Sequence, residues 1–487
     1  MVVRINKLVK KYRDFPVQAR ASFCFLVCAF LQKGISMLTT PIFTRLLSSA
    51  EYGQYNVFNS WLSIVSIFVT LRLSMGVYTQ GLVKYENERA SYTSSLQGLT
   101  VFLVLMWTMI YLAARNFWNR IFSLTTVQMM AMLVMIWTSA VFQFWASEQR
   151  VQLKYKALLA VTLMVSIAKP IVGIVFVAYA DDKVTARIVG LALVELTGYT
   201  GLFAVQMLRG KKFFLSIFWK NALLFNIPLI PHYLSQTVLN SADRIMIRNM
   251  ESEMSAGIYS LAYSVSQIMS LFNTALMQTI SPWIYQKIKM KKTEDIADVA
   301  YRAMIVIACA NLFLIMIAPE IVGLFAPASY YDAIWVVPPV AMSVYFMFCY
   351  DLFAKFAFYY EKTKFIMTAS VIGAVLNVVL NYIFIGLYGY KAAGYTTLLC
   401  YIVYTAGHYA FMNVICKKFC DGKIPYDGKN IIRITSLFLL CGFSLLFTYY
   451  NTYIRYGIIV FTIMVVWRKR EQIIHLFELA RLKKVQA

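Results

Sequence analysis

The segment Glu51-Tyr52-Gly53-Gln54-Tyr55, continued by NVFNSWLSIVSIFVTLR over residues 56–72, decides how this chain is read. A short opening around Gly-x-Tyr gives way to a run that is apolar at most positions and keeps no strict alternation. A barrel strand alternates from face to face; a run that is apolar all round is a membrane-spanning helix. The same opening returns 204 residues later as Ser255-Ala256-Gly257-Ile258-Tyr259. Beyond the shared Gly and Tyr, Ser60 matches Ser264, Ile64 matches Ile268, Ser66 matches Ser270 and Phe68 matches Phe272. An Arg precedes each Gly by eight or nine residues, Arg45 in the first copy and Arg248 in the second. One span repeated at a fixed offset points to an internal duplication.

Outward from these copies, apolar windows recur along the whole chain. A hydrocarbon core of about 30 Å takes about 20 residues per helix. Such windows lie near 21–44, 54–80, 95–115, 123–147, 157–180, 185–207, 221–247, 257–283, 299–320, 333–360, 365–386, 391–415, 431–450 and 453–467, which makes 14 spans. The composition agrees: 60% of 487 residues are apolar, 14% are charged and the mean hydropathy is +0.64. A soluble domain runs near 25% charged, so a soluble enzyme, a disordered chain and a disulfide-built secreted domain are all excluded. Residues 1–20 are polar and basic, and no cleavage pattern follows, so the first span reads as a retained anchor.

The net charge of +24 comes from 46 basic and 22 acidic residues. In an apolar chain such an excess reports loop topology rather than nucleic acid. With the N-terminus inside, 31 basic residues fall on the inner side and eight on the other. Both termini are therefore expected in the cytoplasm. Seven basic residues are left in or at the ends of spans: Lys33, Arg72, Lys169, Arg187, Arg302, Lys355 and Arg433. The loops are too short to hold a soluble catalytic or nucleotide-binding domain, and no P-loop motif occurs.

Six spans separate the repeat copies, so the halves share one orientation and their axis runs along the membrane normal. The fold expected is an all-α polytopic membrane protein with two six-helix lobes, 21–207 and 221–415, around a central cavity. An accessory pair follows at 431–467. Basic cytoplasmic segments occupy 1–20 and 468–487. Pro41, Pro170, Pro228, Pro231, Pro338 and Pro339 fall within the expected spans, as hinges or as fixed kinks.

The stretch Thr40-Pro41-Ile42-Phe43-Thr44-Arg45-Leu46-Leu47-Ser48, with Glu51-Tyr52-Gly53-Gln54-Tyr55 after it, resembles the start of the polysaccharide transport family. Asn240-Ser241-Ala242-Asp243-Arg244-Ile245-Met246-Ile247, then Gly257-Ile258-Tyr259, resembles that family's second half. The family includes the Wzx-type flippases of O-antigen and other lipid-linked oligosaccharides. The resemblance implies the multidrug/oligosaccharidyl-lipid/polysaccharide exporter fold. It implies transfer of an undecaprenyl-diphosphate-linked glycan to the outer leaflet of a bacterial inner membrane, as in lipopolysaccharide assembly. The implied partners are that glycan, the lipid bilayer, and the polysaccharide polymerase and chain-length machinery. No cofactor is implied beyond a proton or sodium gradient.

A diphosphate crosses hydrocarbon only along a polar, cationic path. A basic residue in a span costs about 2.5–3.5 kcal/mol on insertion scales, so it needs a pathway, a partner or an escape to the interface. Arg72 has no acid within four residues on either side and reads as a cavity cation, with snorkelling as the competing role. Lys33, in the middle of the first span, reads similarly, with a polar packing contact as its alternative. Arg45 and Arg248 stand at matched places near outer span ends, where they either receive the diphosphate or anchor at the interface. Lys169 divides between ligand binding and helix pairing. Lys355 reads as a local partner of Asp351. Among the acids, Glu195, Asp243 and Asp351 are candidates for ion coupling, against the alternative of structural salt bridges. The aromatic residues Tyr52, Trp61, Trp145, Tyr263 and Tyr345 are candidates to stack sugars, although most aromatics here pack or anchor.

Three readings compete. A flippase for an anionic lipid-linked oligosaccharide fits the basic in-span charges. A cation-coupled small-molecule antiporter of the same fold predicts an acidic cavity. An integral-membrane glycosyl enzyme needs a large outer catalytic loop, which this chain lacks, so a transporter rather than an enzyme is expected.

Overall fold

A computed structural model describes residues 17–468. The basic segments 1–16 and 469–487 lie outside the described residues. Among residues 17–468 the secondary structure is all helix, with no strand. The helices are α1 (Val17–Leu46), α2 (Ser49–Thr70), α3 (Val77–Lys84), α4 (Arg89–Ala113), α5 (Arg115–Phe122), α6 (Thr126–Val151), α7 (Tyr155–Ala178), α8 (Lys183–Gly210), α9 (Ser216–Asn226) and α10 (Ile230–Met250). Then follow α11 (Glu253–Ser266), α12 (Ile268–Lys289), α13 (Ile296–Met316), α14 (Ala318–Phe325), α15 (Val337–Tyr359), α16 (Thr363–Tyr388), α17 (Ala392–Phe419), α18 (Gly428–Phe447) and α19 (Thr452–Arg468).

Each of the 14 expected spans has a helix or a helix pair. Nine are long and apolar enough to cross a membrane, among the described residues. The other five expected spans are α1, the pairs α2/α3, α9/α10 and α11/α12, and the 17-residue α19. The first four of these are the opening two spans of each half.

The expected span 54–80 is not one helix. It stops at Thr70 and resumes at Val77. Leu71 and Arg72 both sit at positive φ, 48° and 52°. A left-handed backbone costs an L-residue about 1–2 kcal/mol, so tertiary bonds hold this turn. The Asn226 side chain donates to the Leu71 carbonyl at 3.0 Å, and the Arg72 N–H donates to Thr70 Oγ1 at 3.3 Å. The expected span 221–247 also breaks, at 227–229, where Pro228 and Pro231 remove backbone donors. The breaks in spans 2 and 7 thus lie against each other.

Pro338 and Pro339 do not kink a helix, contrary to their expected place inside span 10. They occupy the first turn of α15, where the missing N–H groups would be free anyway. Pro41 and Pro170 do lie inside α1 and α7.

The repeat copies meet. At the crossing of α2 and α11, a Cβ added to Gly53 would stand 1.9 Å from the Glu253 carbonyl oxygen. One added to Gly257 would stand 2.0 Å from that of Ser49. The contact is reciprocal at the 204-residue offset, and only glycine permits it. A continuous core joins Phe43 of α1, Leu47 after it, and Tyr52 and Val57 of α2 to α10–α15. In the second lobe α15 is the most enclosed of the nine, with 83% of its apolar window buried, whereas the span containing α18 shows only 22%. The last two spans lie against the second lobe. The Tyr449 hydroxyl donates to the Ile315 carbonyl at 2.5 Å, and Arg455 of α19 pairs with Glu320 of α14.

Candidate functional site: a cleft between two lobes

Charge distinguishes the two ends of the molecule. One, the basic-poor end, carries the connections 47–48, 179–182, 251–252, 326–336 and 389–391. The basic-rich end carries 71–76, 211–215 and 290–295. The lobes are sealed at the basic-poor end. There Thr44 Oγ1 donates to the Phe325 carbonyl at 2.5 Å, and Arg45 Nη2 donates to the Leu324 carbonyl at 2.9 Å. The Gln54 side chain donates to Glu253, which also pairs with Arg248 at 3.4 Å. Arg45 and Arg248, picked as matched cations, are therefore both engaged in or beside this seal.

Toward the other end the span-7 segment meets the first lobe, with Asn226 on the Leu71 carbonyl and Trp219 on the Ser95 carbonyl. Lys33 of α1 reaches across the cleft, its Nζ 3.5 Å from Ser270 Oγ of α12. Arg72 stands at the break in span 2, where Tyr233 of α10 is its electrostatic neighbour from the other lobe. Its Nε is buried without a hydrogen-bond partner, and no ion pair among the described residues includes Arg72 or Lys33. Arg72 lines a pocket of about 240 Å³ between α2, α6 and α8. Ser63, Ser66, Thr70, Ser74, Ser139 and Gln143 make its wall polar, and Glu195 lies on it. A cation beside a wall of hydroxyl and amide groups can hold an oxyanion and hydrogen-bond to sugar hydroxyls.

The three candidate acids are each bonded. Glu195 accepts from Lys169 Nζ at 2.5 Å and from Thr138 Oγ1 at 2.8 Å. Lys169, a candidate ligand-binding cation, is thus the counter-ion of a buried carboxylate. Asp351 pairs with Lys355 at 2.7 Å, one helical turn away, as their spacing suggested. Asp243 differs from both. Completely buried on α10, it accepts from the Tyr259 hydroxyl at 2.6 Å, Asn381 Nδ2 at 2.6 Å and Thr397 Oγ1 at 3.1 Å. These donors come from α11, α16 and α17. Adjacent Arg244 does not bond to it. It donates to the Asn240 carbonyl and stacks 4.2 Å from the Tyr263 ring centre. Thr396 donates in turn to Asn381.

The aromatic candidates are mostly packed. Tyr345 is fully buried on Phe438, Tyr52 lies edge-on to Tyr330, Trp61 meets Phe122, Trp145 is buried and Tyr263 carries Arg244. Residues that sequence reasoning did not single out for the site include Gln54, Glu253, Thr138, Asn381 and Thr397. Glu253 lies between two expected spans and the others are polar residues within them, a signal too common to rank without the fold.

Comparisons with known proteins give the context. Residues 19–288 match the family model described as "Polysaccharide biosynthesis protein", and residues 228–383 match the model described as "MatE". A protein of the Lsg locus of Haemophilus influenzae is 23% identical over 390 residues, 73% of this chain and 88% of the relative. A Haloferax volcanii protein named "Probable low-salt glycan biosynthesis flippase Agl15" is 27% identical over 202 residues, 39% of this chain and 41% of the relative. Among solved structures, an inward-facing multidrug resistance MATE family transporter of the MOP superfamily superposes with a TM-score of 0.61. It shares 12% identity and covers 79% of this chain and 96% of its own. A MOP superfamily transporter from Pyrococcus furiosus gives a TM-score of 0.56 at 12% identity, over 82% and 96% of the two chains.

Proposed function

Because the chain belongs to the polysaccharide biosynthesis protein family, a family of multi-pass membrane flippases and transporters rather than enzymes, we propose that it moves a lipid-linked oligosaccharide across the membrane by alternating access. The cargo in this reading is a glycan on a polyprenyl diphosphate, such as an undecaprenyl-linked O-antigen or other surface repeat unit. The membrane is a bacterial inner membrane, with the basic-rich end and both termini in the cytoplasm. In this reading the seal at the other end corresponds to an inward-open state.

One observation carries the proposal. Among the described residues, Arg72 and Lys33 pair with no acid, whereas Glu195, Asp243 and Asp351 are each bonded within a lobe. Arg72, half-buried with its Nε out of contact with any partner, and the exposed Lys33 are cations free to take an anion, and a diphosphate supplies one. A drug antiporter that takes up cations would need the reverse arrangement. Arg72 and Lys33 load the diphosphate from the cytoplasmic side, and the polar wall beside Arg72 takes the first sugars. Separation of the seal then opens the exit, with Arg45 and Arg248 freed at its rim, and the flipped unit passes to the polymerase and chain-length machinery.

Ion coupling in this reading falls to Asp243, since Glu195 already holds Lys169. Asp243 faces neutral donors contributed by three other helices, so a proton or sodium ion there changes how the second lobe packs. The experiment that tests the assignment is surface polysaccharide in a strain carrying Arg72→Gln. At unchanged protein level, the strain should display at least tenfold less polymer and accumulate lipid-linked intermediate. Normal polymer would refute it.

A further inference from the structure

The seal contains a cation that the loading step does not use. Arg187, on the first turns of α8, is 8% exposed. Its guanidinium carbon lies 3.6 Å from the Phe43 ring centre and 3.5 Å from that of Tyr55, so the group is clamped between two aromatic faces. Nε and Nη1 have no hydrogen-bond partner, and none of the ion pairs among the described residues includes Arg187. Facing it from the second lobe is Tyr330, 1% exposed, whose hydroxyl is also without a partner. The Tyr330 ring meets Tyr52 edge-on at 6.0 Å. The two lobes thus press an unpaired cation and an unpaired hydroxyl into one dry interface.

Ring faces offset only part of what a guanidinium loses on leaving water. A merely structural arginine would be expected to find a carboxylate or carbonyls, as Arg455 and Arg45 do in the same region. Every bond that closes this face from lobe to lobe is one that opening must break: Thr44 to Phe325, Arg45 to Leu324, Gln54 to Glu253. Opening also withdraws Tyr330 from Arg187.

We infer that Arg187 is an exit-side binding site for a phosphate-class oxyanion, covered by Tyr330 in the inward-open state and uncovered when the lobes part. Resting on the flippase reading, the inference deepens it: the cargo's diphosphate leaves Arg72 and Lys33 for a second cation nearer the outer leaflet. The unmet donors of Arg187 raise the cost of the sealed state, and an anion arriving in the open state lowers the cost of that one. Cargo binding and gate opening are then linked through one side chain.

The test uses the full chain in nanodiscs. Gly53→Val props the lobes apart, because a side chain cannot fit the closed crossing. Inorganic pyrophosphate, farnesyl diphosphate and dioleoylphosphatidylglycerol are each titrated against Gly53→Val and against Gly53→Val combined with Arg187→Gln. Both diphosphates should bind the single variant at least tenfold more tightly than the double, with Arg187→Lys in between. Equal binding overturns the inference. A difference seen with phosphatidylglycerol alone keeps the oxyanion site and identifies bulk lipid as its source. Should Gly53→Val fail to fold, Arg187→Gln alone is read in proteoliposomes. It should slow flipping of a fluorescent polyprenyl diphosphate about tenfold and leave binding from the basic-rich side unchanged; wild-type flipping overturns the inference. Arg72→Gln, titrated in the unpropped protein, reports separately on the loading site. If it has no effect there while Arg187→Gln does in the propped protein, the flippase reading loses its loading step and the exit site stands.

Discussion

Arg72 owes its position to two backbone turns that its own sequence does not favour. With φ values near 50° at Leu71 and Arg72, ahead of Gly76 at φ 57°, two residues that are not glycine take the left-handed region, and Asn226 of the span-7 segment holds them there. Asn226→Ala should therefore act at a distance. It leaves the Leu71 carbonyl unsatisfied, a loss of about 1–3 kcal/mol. It should lower thermal stability and reduce transport together, read by melting of the purified protein and by polymer output. The acids separate in the same manner. Glu195→Gln strips the counter-charge from Lys169 and should lower stability without altering any response to an imposed ion gradient. Asp243→Asn should keep the fold but remove that response in vesicle transport. A gradient effect lost at Glu195 and kept at Asp243 would reverse the assignment. None of this pairing was legible in the sequence. Asp243 draws its donors from 16, 138 and 154 residues away, and side-chain spacing reports only neighbours on one helix.

At the scale of elements, the 14 spans were legible because each carries its own signal, a run of apolar residues of bilayer length. Breaks were legible only where proline marks them, as at 227–231. The break at 71–76 has no proline and was hidden, and Pro338 and Pro339 misled because a helix start and a helix kink use the same residue. Apart from the short last span, the spans outside the nine that are long and apolar enough to cross a membrane are, among the described residues, the opening two of each half, and α2 and α11 of these meet between the lobes. The Gly-x-Tyr repeat was readable as a duplication, but not as a contact. The structure shows why glycine stands there: α2 and α11 cross at backbone distance. Gly257→Val should open that crossing. Hydrogen exchange of segments 44–57 and 250–262 should rise several-fold relative to the rest of the protein. Unchanged protection would mean that the crossing is not a gate.

At the scale of the whole molecule, the charge balance and the lobe arrangement support one account. Most of the basic excess lies at one end, a small group of cations lies in the cleft, and a bonded seal closes the other end. The last two spans sit on the flank of the second lobe through Arg455, Glu320 and Tyr449, so they add a lipid-facing wall to that lobe without entering the cleft. Reporter fusions at 212 and 291 should read cytoplasmic, and fusions at 181 and 389 should read external; an inverted pattern would reverse loading and exit. The most direct measurement is flipping by the purified chain. Reconstituted in liposomes, it should expose a fluorescent polyprenyl-diphosphate oligosaccharide to a membrane-impermeant quencher, and Arg72→Gln should slow that exposure at least tenfold. Exposure at the protein-free rate, or an equal rate for a neutral lipid-linked sugar lacking the diphosphate, would contradict the account.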